Sequence, residues 1–485
     1  MITTVKRVDH KILITHSEHE VQKHVRLALV VFSSTILSAC ANFSAGNLFS
    51  HYSAQNSDLY QAVKEGQYQE AEQALPEQVA GDILDNMEKG RVYLLNQQYG
   101  ESKSAFEASD QAVRVQQDKA TISISDTATS IGSLAVNDNL DIYKPADYEL
   151  GFLHLYLGLN YLKNNDLEGA IIEMRRANQV QERARKDREK ELESAQQDMQ
   201  SKGLTPNIGS VLSNYPDAGK TLQAVQNGYL LYLSALLYEA DKSLNDAYVD
   251  YRRALAVMPE NTAVIDGTKR VAKRLGMNED LVQLEKRYGK SNFLDDDKAR
   301  VIVIEEQGVV DALQGWKQTL PLFDSNGNVA LYTIALPHYG QHNNQLFPAT
   351  QFNQIKLNSD LMTDVNTMAQ FDLSERMPAI IIRQALRVWA KDELRKNATN
   401  EDQLGNALVN IWNTLTEQPD TRSWITLPGQ IRSSSVTVEP GQQTVLVGAH
   451  QKYQFEVEAG HTALVWVSRQ GGSAIIWHKQ LGNIR

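Results

Sequence analysis

A period constrains this chain more than any other feature. Residues 151–184 read GFLHLYLGLNYLKNNDLEGAIIEMRRANQVQERA. Counted from Gly151, the small residues Gly158, Ala170 and Ala177 fall at places eight, twenty and twenty-seven. The large residues Tyr161 and Met174 fall at places eleven and twenty-four. Residues 228–261 repeat the pattern with Ala235, Tyr238, Ala247, Tyr251 and Ala254, and place Pro259 near the end. Residues 83–116 keep Gly90, Tyr93 and Phe106 but put Ser102 and Ser109 where the other two have alanine. A fixed period of this length marks a repeat architecture, in which one unit cannot bury its own apolar face and units stack into an array.

This pattern resembles the tetratricopeptide repeat, a helix–turn–helix unit, which implies that the small residues let two helices approach and the large ones fill the space between. A degenerate unit starts near Tyr52, where Ala71 and Leu75 fit, and helices over 262–275 and 278–288 form a capping pair. Residues 117–150 do not fit the period; their polar, turn-rich TISISDTATSIGSLAVNDNL reads as an insertion. From Leu167 the helical pattern continues to about Met199, and ten of the twelve residues from Glu182 to Glu193 are charged. The expectation there is a helix end that projects into solvent or meets a charged partner.

The first forty residues read as an address. Lys23, His24 and Arg26 precede the apolar run Leu27–Leu37, which is too short to span as an ordinary transmembrane helix and suits a signal-peptide core. Leu37-Ser38-Ala39-Cys40 follows. This run resembles the lipobox of bacterial lipoproteins, which implies lipid on the Cys40 sulfur and cleavage before it. Residue 41 is Ala and not Asp, which by the same resemblance implies outer-membrane sorting with the chain facing the periplasm. Several acyl chains give stable anchoring where one gives marginal binding. The polar residues 1–22 lengthen the segment beyond the usual leader, and a start at Val21 or Val25 would remove them.

After Asp295-Asp296-Asp297 the texture changes. RVIVIEEQ (300–307) reads as a buried strand, and the turn Asp324–Asn328 leads into a second, VALYTIALP. Helices are expected over 374–396 and 402–418, then strands at 435–438, 443–447, 453–456 and 463–468. The reading is therefore mainly α: a tetratricopeptide-like array followed by a β-rich α+β domain. Its parts are a signal segment (1–39), a lipidated linker (40–51), the array (52–292) and a sandwich or barrel (298–485) with inserted helices at about 374–418.

Composition narrows the chemistry. With 48 Lys plus Arg against 59 Asp plus Glu, the net charge of −11 disfavours nucleic acid as a partner. Cys40 is the single cysteine, so an intramolecular disulfide and a multi-cysteine metal site are excluded, and the lipid that the lipobox resemblance implies leaves no cysteine nucleophile. Gly289-Lys290-Ser291 ends like a phosphate-binding loop, but Leu284 stands where its first glycine belongs. Asp324, Asn326 and Asn328 open like a calcium loop, yet Val329 and Ala335 occupy the glycine and carboxylate places. His338 and His342 sit in a loop and lack the glutamate of a zinc helix. No catalytic residue, cofactor or metal is expected, and no enzyme; an envelope hydrolase using the polar loop 338–344 is the alternative.

Two features suit a partner. Arg383, Arg387, Lys391 and Arg395 recur every fourth residue along one helix face, to meet an acidic partner, lipid headgroups or internal carboxylates. The second is Pro419-Asp420-Thr421-Arg422-Ser423-Trp424-Ile425-Thr426-Leu427-Pro428, where Arg422 and Trp424 either face a partner or lock a strand to the array by stacking. This segment, with YKPADYELGFLHLYLGLNYL and EMRRANQVQ, resembles an uncharacterised family of tetratricopeptide-repeat lipoproteins of Gram-negative bacteria over most of residues 50–470. The resemblance implies an outer-membrane lipoprotein in cell-envelope assembly or maintenance. A helical concavity that holds a protein or peptide is the expected mode of action.

Overall fold

A computed structural model of the chain describes residues 51–77, 79–123, 142–201, 205–206, 226–291, 293–323, 329–341, 345–398 and 418–484. Cys40 with its leader, the 324–328 turn, His342 and residues 402–417 of the last expected helix lie outside them. Five helix–turn–helix units are present among the described residues. The helices are α1 (Tyr52–Gln55), α2 (Ser57–Glu65), α3 (Tyr68–Gln73), α4 (Asp82–Leu95), α5 (Tyr99–Ser123), α6 (Asp147–Lys163), α7 (Leu167–Ser201), α8 (Gly228–Ala240), α9 (Leu244–Val257), α10 (Thr262–Arg274) and α11 (Asn278–Tyr288). Helix α5 runs into what the sequence marks as an insertion, so its first residues belong to the array.

The turns show why these units share a period. Gly66, Gln97, Asn165, Lys242 and Gly276 all have φ between 62° and 77°. Each stands at place fifteen when units are counted from 52, 83, 151, 228 and 262. At each, the next residue's N–H donates to the carbonyl five residues before it: Gln67 to Ala62, Gln98 to Tyr93, Asp166 to Tyr161, Ser243 to Tyr238 and Met277 to Ala272, at 2.8–2.9 Å. This is the Schellman closure, which satisfies carbonyls that a helix end would otherwise leave unpaired. Glycine meets its left-handed residue without cost in the first and last units, while the three central units use Gln, Asn and Lys.

Packing between paired helices follows the small-residue rule. A Cβ on Gly90 would lie 2.5 Å from the Phe106 ring, and one on Gly158 would lie 2.4 Å from Met174 Cε. In the first full unit the serines that replace alanine are buried and donate to helix carbonyls, Ser102 to Gly90 and Ser109 to Ile83, both at 2.8 Å. They keep the close approach and add a tie. Units four and five are joined by a buried cluster in which Arg270 donates to both oxygens of Glu239 at 2.7 and 2.6 Å, and Tyr251 donates at 2.9 Å.

The β region follows. Besides a two-residue strand β1 (Thr205–Pro206), it comprises β2 (Ala299–Gln307), β3 (Gln314–Phe323), β4 (Val329–His338), β5 (Gln351–Phe352), β6 (Ile355–Lys356), β7 (Asp360–Asp364), β8 (Gln430–Val438), β9 (Gly441–Val447), β10 (Gln451–Val457), β11 (Thr462–Gln470) and β12 (Ser473–Gly482). A five-stranded sheet in the order β12-β11-β2-β8-β7 has one parallel pair, β11 with β2. Val301, Val303, Val465 and Val467 point from it toward a four-stranded sheet, β10-β9-β5-β6, and meet Phe352, Val445 and Phe455 there. Strand parity sends Ile302, Ile304, Leu464 and Trp466 to the opposite face, into one core with the helices. The boundary expected at 292–298 is thus a change of secondary structure and not of packing: Ser50–Arg485 forms one compact unit. The cause is a sheet apolar on both faces, which must be covered twice.

Helix α12 (Val365–Ala398) begins nine residues earlier than the sequence pattern suggests and carries Pro378 inside it. It packs on the β3–β4 hairpin through Ile381, Ile382, Ala385 and Leu386. Ala195 and Met199, at the far end of α7, join the same cluster. The charged stretch therefore bridges two cores along one 35-residue helix, and its end docks where projection into solvent was expected.

Place fifteen gives a stability test. Lys242→Gly should stabilise the protein by about 1 kcal/mol in chemical denaturation, by removing a left-handed non-glycine residue. Gly90→Ala should cost about 2 kcal/mol, because the Phe106 ring has nowhere to go.

Candidate functional site

The segment 418–429 forms neither helix nor strand, because Pro419 and Pro428 bound it and its amides are taken by side chains. Its route runs along the first helices of three successive units. Trp424 N–H donates to Glu149 Oε1 at 2.7 Å, and Ile425 N–H donates to Glu88 Oε1 at 2.9 Å. The Thr426 hydroxyl donates to Glu88 Oε2 at 2.5 Å and Tyr52 OH donates to Oε1 at 3.2 Å. Glu149 also accepts from Tyr143 OH and from Ala146 N–H, the latter at 2.8 Å. Trp424 is fully buried, with ring centroids 5.8 Å from both Phe106 and Tyr156.

Beside this seam lies a buried ion pair that ties the array to the sheet. Arg91 Nη2 donates to Glu306 Oε2 at 2.8 Å and to Ser468 Oγ at 3.0 Å, and both charged side chains are inaccessible to solvent. Arg91 Nε donates to Thr426 O at 3.3 Å, and its guanidinium lies 4.6 Å from the centre of the Tyr156 ring. Glu306 also accepts from Tyr156 OH and from Trp466 Nε1, both at 3.3 Å. Helix α4, strand β2 and the 418–429 segment, more than 100 residues apart from one another, meet at this carboxylate and guanidinium.

The inner face of the array is therefore filled from within. The concavity that the sequence suggests as a peptide site is occupied by residues 421–427 and by the face of the five-stranded sheet, because buried glutamates on the first helices require donors there. Trp424, expected either to face a partner or to lock a strand to the array, is at 0% exposure and serves the lock. Arg422 is nearly buried, binds Asp420 at 2.7 Å and lies over Tyr143 at 5.6 Å, so it stacks on Tyr143 and not on Trp424.

The stripe on α12 is corrected in the same way. Arg387 is turned into the core at 2% exposure, while Arg383 and Lys391 are half-buried. Arg395 lies in the helix, with its side chain outside the described residues. The hairpin and α7 both pack on α12, so Arg383, Arg387 and Lys391 form no fully exposed face. Arg383 instead meets Arg422 across a cleft of about 190 Å³. The start of α6, the end of β4, α12 and residues 420–423 enclose it, with Arg376, Tyr148 and Tyr339 among its lining. On α12, Asp372, Arg376, Ile380 and Arg383 line it at spacings of four, four and three, the face a helix turns to one neighbour.

The Asp324–Asn328 turn and His342 lie outside the described residues; the loop at 289–291 and His338 are described. Lys269 Nζ donates to the carbonyls of Tyr288 and Gly289 at 3.3 and 2.9 Å, and Ser291 N–H donates to Glu285 at 3.1 Å, so this loop offers carbonyls where a phosphate needs amides. His338 closes β4 against Trp316. Among the described residues no cluster of three His, Cys, Asp or Glu is placed for a metal ion. Sequence reading missed Glu88, Arg91, Glu149 and Glu306. The available signal was a charge inside an apolar run, as in RVIVIEEQ, where parity puts Glu306 on the face of Ile302 and Ile304.

Repeated Schellman turns and helix pairs define the array as tetratricopeptide-like, closed on its inner face by a β-sandwich. No family model matches the chain, and no curated protein matches it. Similar solved structures include MamA of AMB-1, 12% identical with a TM-score of 0.26, covering 48% of this chain and 87% of that one. MamA of MSR-1 is 13% identical at 0.25, covering 48% and 91%. The TPR2AB-domain:pHSP90-complex of yeast Sti1 is 12% identical at 0.19, covering 48% and 87%. The fold assignment rests on the turns and helix pairs themselves.

Burial lifts the Glu88 carboxyl to about 8, and the Thr426 hydroxyl and Ile425 amide keep it from rising further. Burial likewise lifts Glu149 to about 7 against the pull of Tyr143 and two amides. A carboxyl raised in the folded state contributes stability that is complete below its ordinary value of 4.5 and is lost as pH climbs through the raised one. Urea stability should thus fall from about pH 5 to about pH 9. Glu88→Gln should flatten that fall, and Glu88→Ala, which strands the Ile425 and Thr426 donors, should cost about 3 kcal/mol. An unchanged slope in Glu88→Gln would count against the buried acid.

Proposed function

We propose that this chain is a lipid-anchored scaffold of the Gram-negative envelope that holds a protein partner and performs no chemistry of its own. The observation that carries the reading is Leu37-Ser38-Ala39-Cys40 directly behind an eleven-residue apolar stretch with a basic flank. Lipid on Cys40 and cleavage before it leave a mature chain of net charge −13, tethered by its acyl chains and not by charge attraction to anionic lipid. Ala41 favours the outer membrane, with the body in the periplasm. Among the described residues no helix is long and apolar enough to cross a membrane.

A stacked helical array supports the scaffold reading. Its inner face is filled, so a partner meets the outer surface made by the second helices. Val115, Ile172, Val249 and Val282 are exposed there, one on each of α5, α7, α9 and α11. Crosslinkers placed at positions 172 and 249 in cells should trap an envelope protein that an anchor-only control does not; trapping none from either position would sink the scaffold reading.

Cys40→Ser tests the anchor. The variant should be exported but unprocessed, and a palmitate analogue should label the parent and miss the variant. Equal labelling of both, or a parent recovered in the soluble fraction without detergent, would overturn the reading.

A further inference from the structure

One face of the five-stranded sheet changes character along its length. On the side turned to the four-stranded sheet, Val301 and Val303 of β2 pack with Val465 and Val467 of β11. Further along β2 the same side carries Glu305 and Gln307, because alternate residues of a strand share a face. The register sets cross-strand rows: Val465, Val303 and Ser434, then Val467, Glu305 and Arg432, then Arg469, Gln307 and Gln430. The rows pass from apolar to polar, and a recess of about 300 Å³ opens over the polar end. Residues of the 345–350 loop wall it, with Leu346 at 92% exposure and Phe347 half-buried.

The charges of this recess are matched. Its lining carries one carboxylate, Glu305, and one guanidinium, Arg432, which donates twice to Ser359 at 2.9 and 2.6 Å. Behind the lining, Arg469 pairs with Glu305 at 3.5 Å and donates to Pro348 O at 2.8 Å. The hydrogen-bonding capacity is not matched. Ser434 lines the recess at 4% exposure, and its hydroxyl has no partner among the described residues; nor has the Gln307 amide. Glu305 Oε2 accepts from the Thr350 hydroxyl at 2.8 Å, but Oε1 receives no hydrogen bond and Arg469 Nη1 donates none among the described residues. A buried polar group without a partner costs free energy, which a matching ligand restores. Donors and acceptors are both unmet, and a neutral hydroxyl is the group that supplies each.

We propose that this recess binds a neutral sugar unit, with its hydroxyls on Ser434, Gln307 and Glu305 and its carbon-bound hydrogens against Leu346 and Phe347. A pyranose ring has that pair of surfaces, a polar edge and less polar faces. Small-molecule sites run from about 300 to about 1,000 Å³, so a recess at the lower bound holds one ring. A free sugar and a sugar unit within a glycan share this chemistry. The proposal is independent of the lipid anchor and of any protein partner on the outer surface.

Titration calorimetry on the full chain tests it, in a detergent without a sugar headgroup, with glucose, galactose and mannose as probes. At least one should bind with Kd of about 1 mM, and its uronic acid at least about tenfold more weakly, because Glu305 repels the added carboxylate. Ser434→Ala should weaken the sugar about fivefold without lowering the midpoint of urea unfolding, since the hydroxyl it removes bonds nothing among the described residues. Gln307→Leu should weaken it about tenfold and leave the circular dichroism unchanged. Arg175→Gln, on the outer surface, should change nothing. A trisaccharide of the bound sugar that binds as well as the monomer identifies a glycan as the source, and its exclusion identifies a free sugar. A uronic acid that binds as tightly as its sugar, undiminished binding in Ser434→Ala or Gln307→Leu, or no saturable signal from any of the three sugars up to about 20 mM would overturn the proposal.

Discussion

Glu88 and Glu149 sit on the first helices of neighbouring units, in an apolar seam that water does not reach. A buried carboxyl without donors costs several kcal/mol. Tyr143 and the Ala146 amide serve Glu149 and Tyr52 serves Glu88, but the helix ladder has spent the other nearby amides, so the remaining donors come from elsewhere in the chain. They come from Trp424, Ile425 and Thr426, and that requirement threads residues 421–427 between array and sheet. Once the segment is threaded, Arg91 reaches both Thr426 O and Glu306, and the sheet is fixed against the helices. The two halves then share one core, and neither has a complete surface without the other.

This arrangement changes what the array offers. A free solenoid presents its concave face to partners. Here that face is interior, and the chain supplies its own extended segment where a peptide ligand would lie. The exposed surface belongs to the second helices, whose charged and β-branched residues were legible as an outer face only after the inner one was known to be covered. Helix α7 adds to the same end, because its far turns carry Ala195 and Met199 into the cluster beneath α12. The seam and the cleft meet at Glu149, which anchors Trp424 in the seam and is among the residues that line the cleft.

What the sequence determined by itself was local and periodic. Gly158 with Met174, and Ala235 with Tyr251, fix a pair of close helices because the 34-residue spacing puts a small residue opposite a large one. The continuous β-branched run in RVIVIEEQ announces a buried strand. Tertiary structure alone decided the rest. Nothing near Trp424 in sequence says that its amide will satisfy Glu149, 275 residues away. Nothing in the four-residue spacing of Arg383, Arg387, Lys391 and Arg395 says that Arg387 will turn inward, because helical spacing fixes which residues share a face but not which neighbours cover it. Buried charge is the common thread. A charged residue reads as surface in sequence, and only the fold supplies the partners that let it go inside.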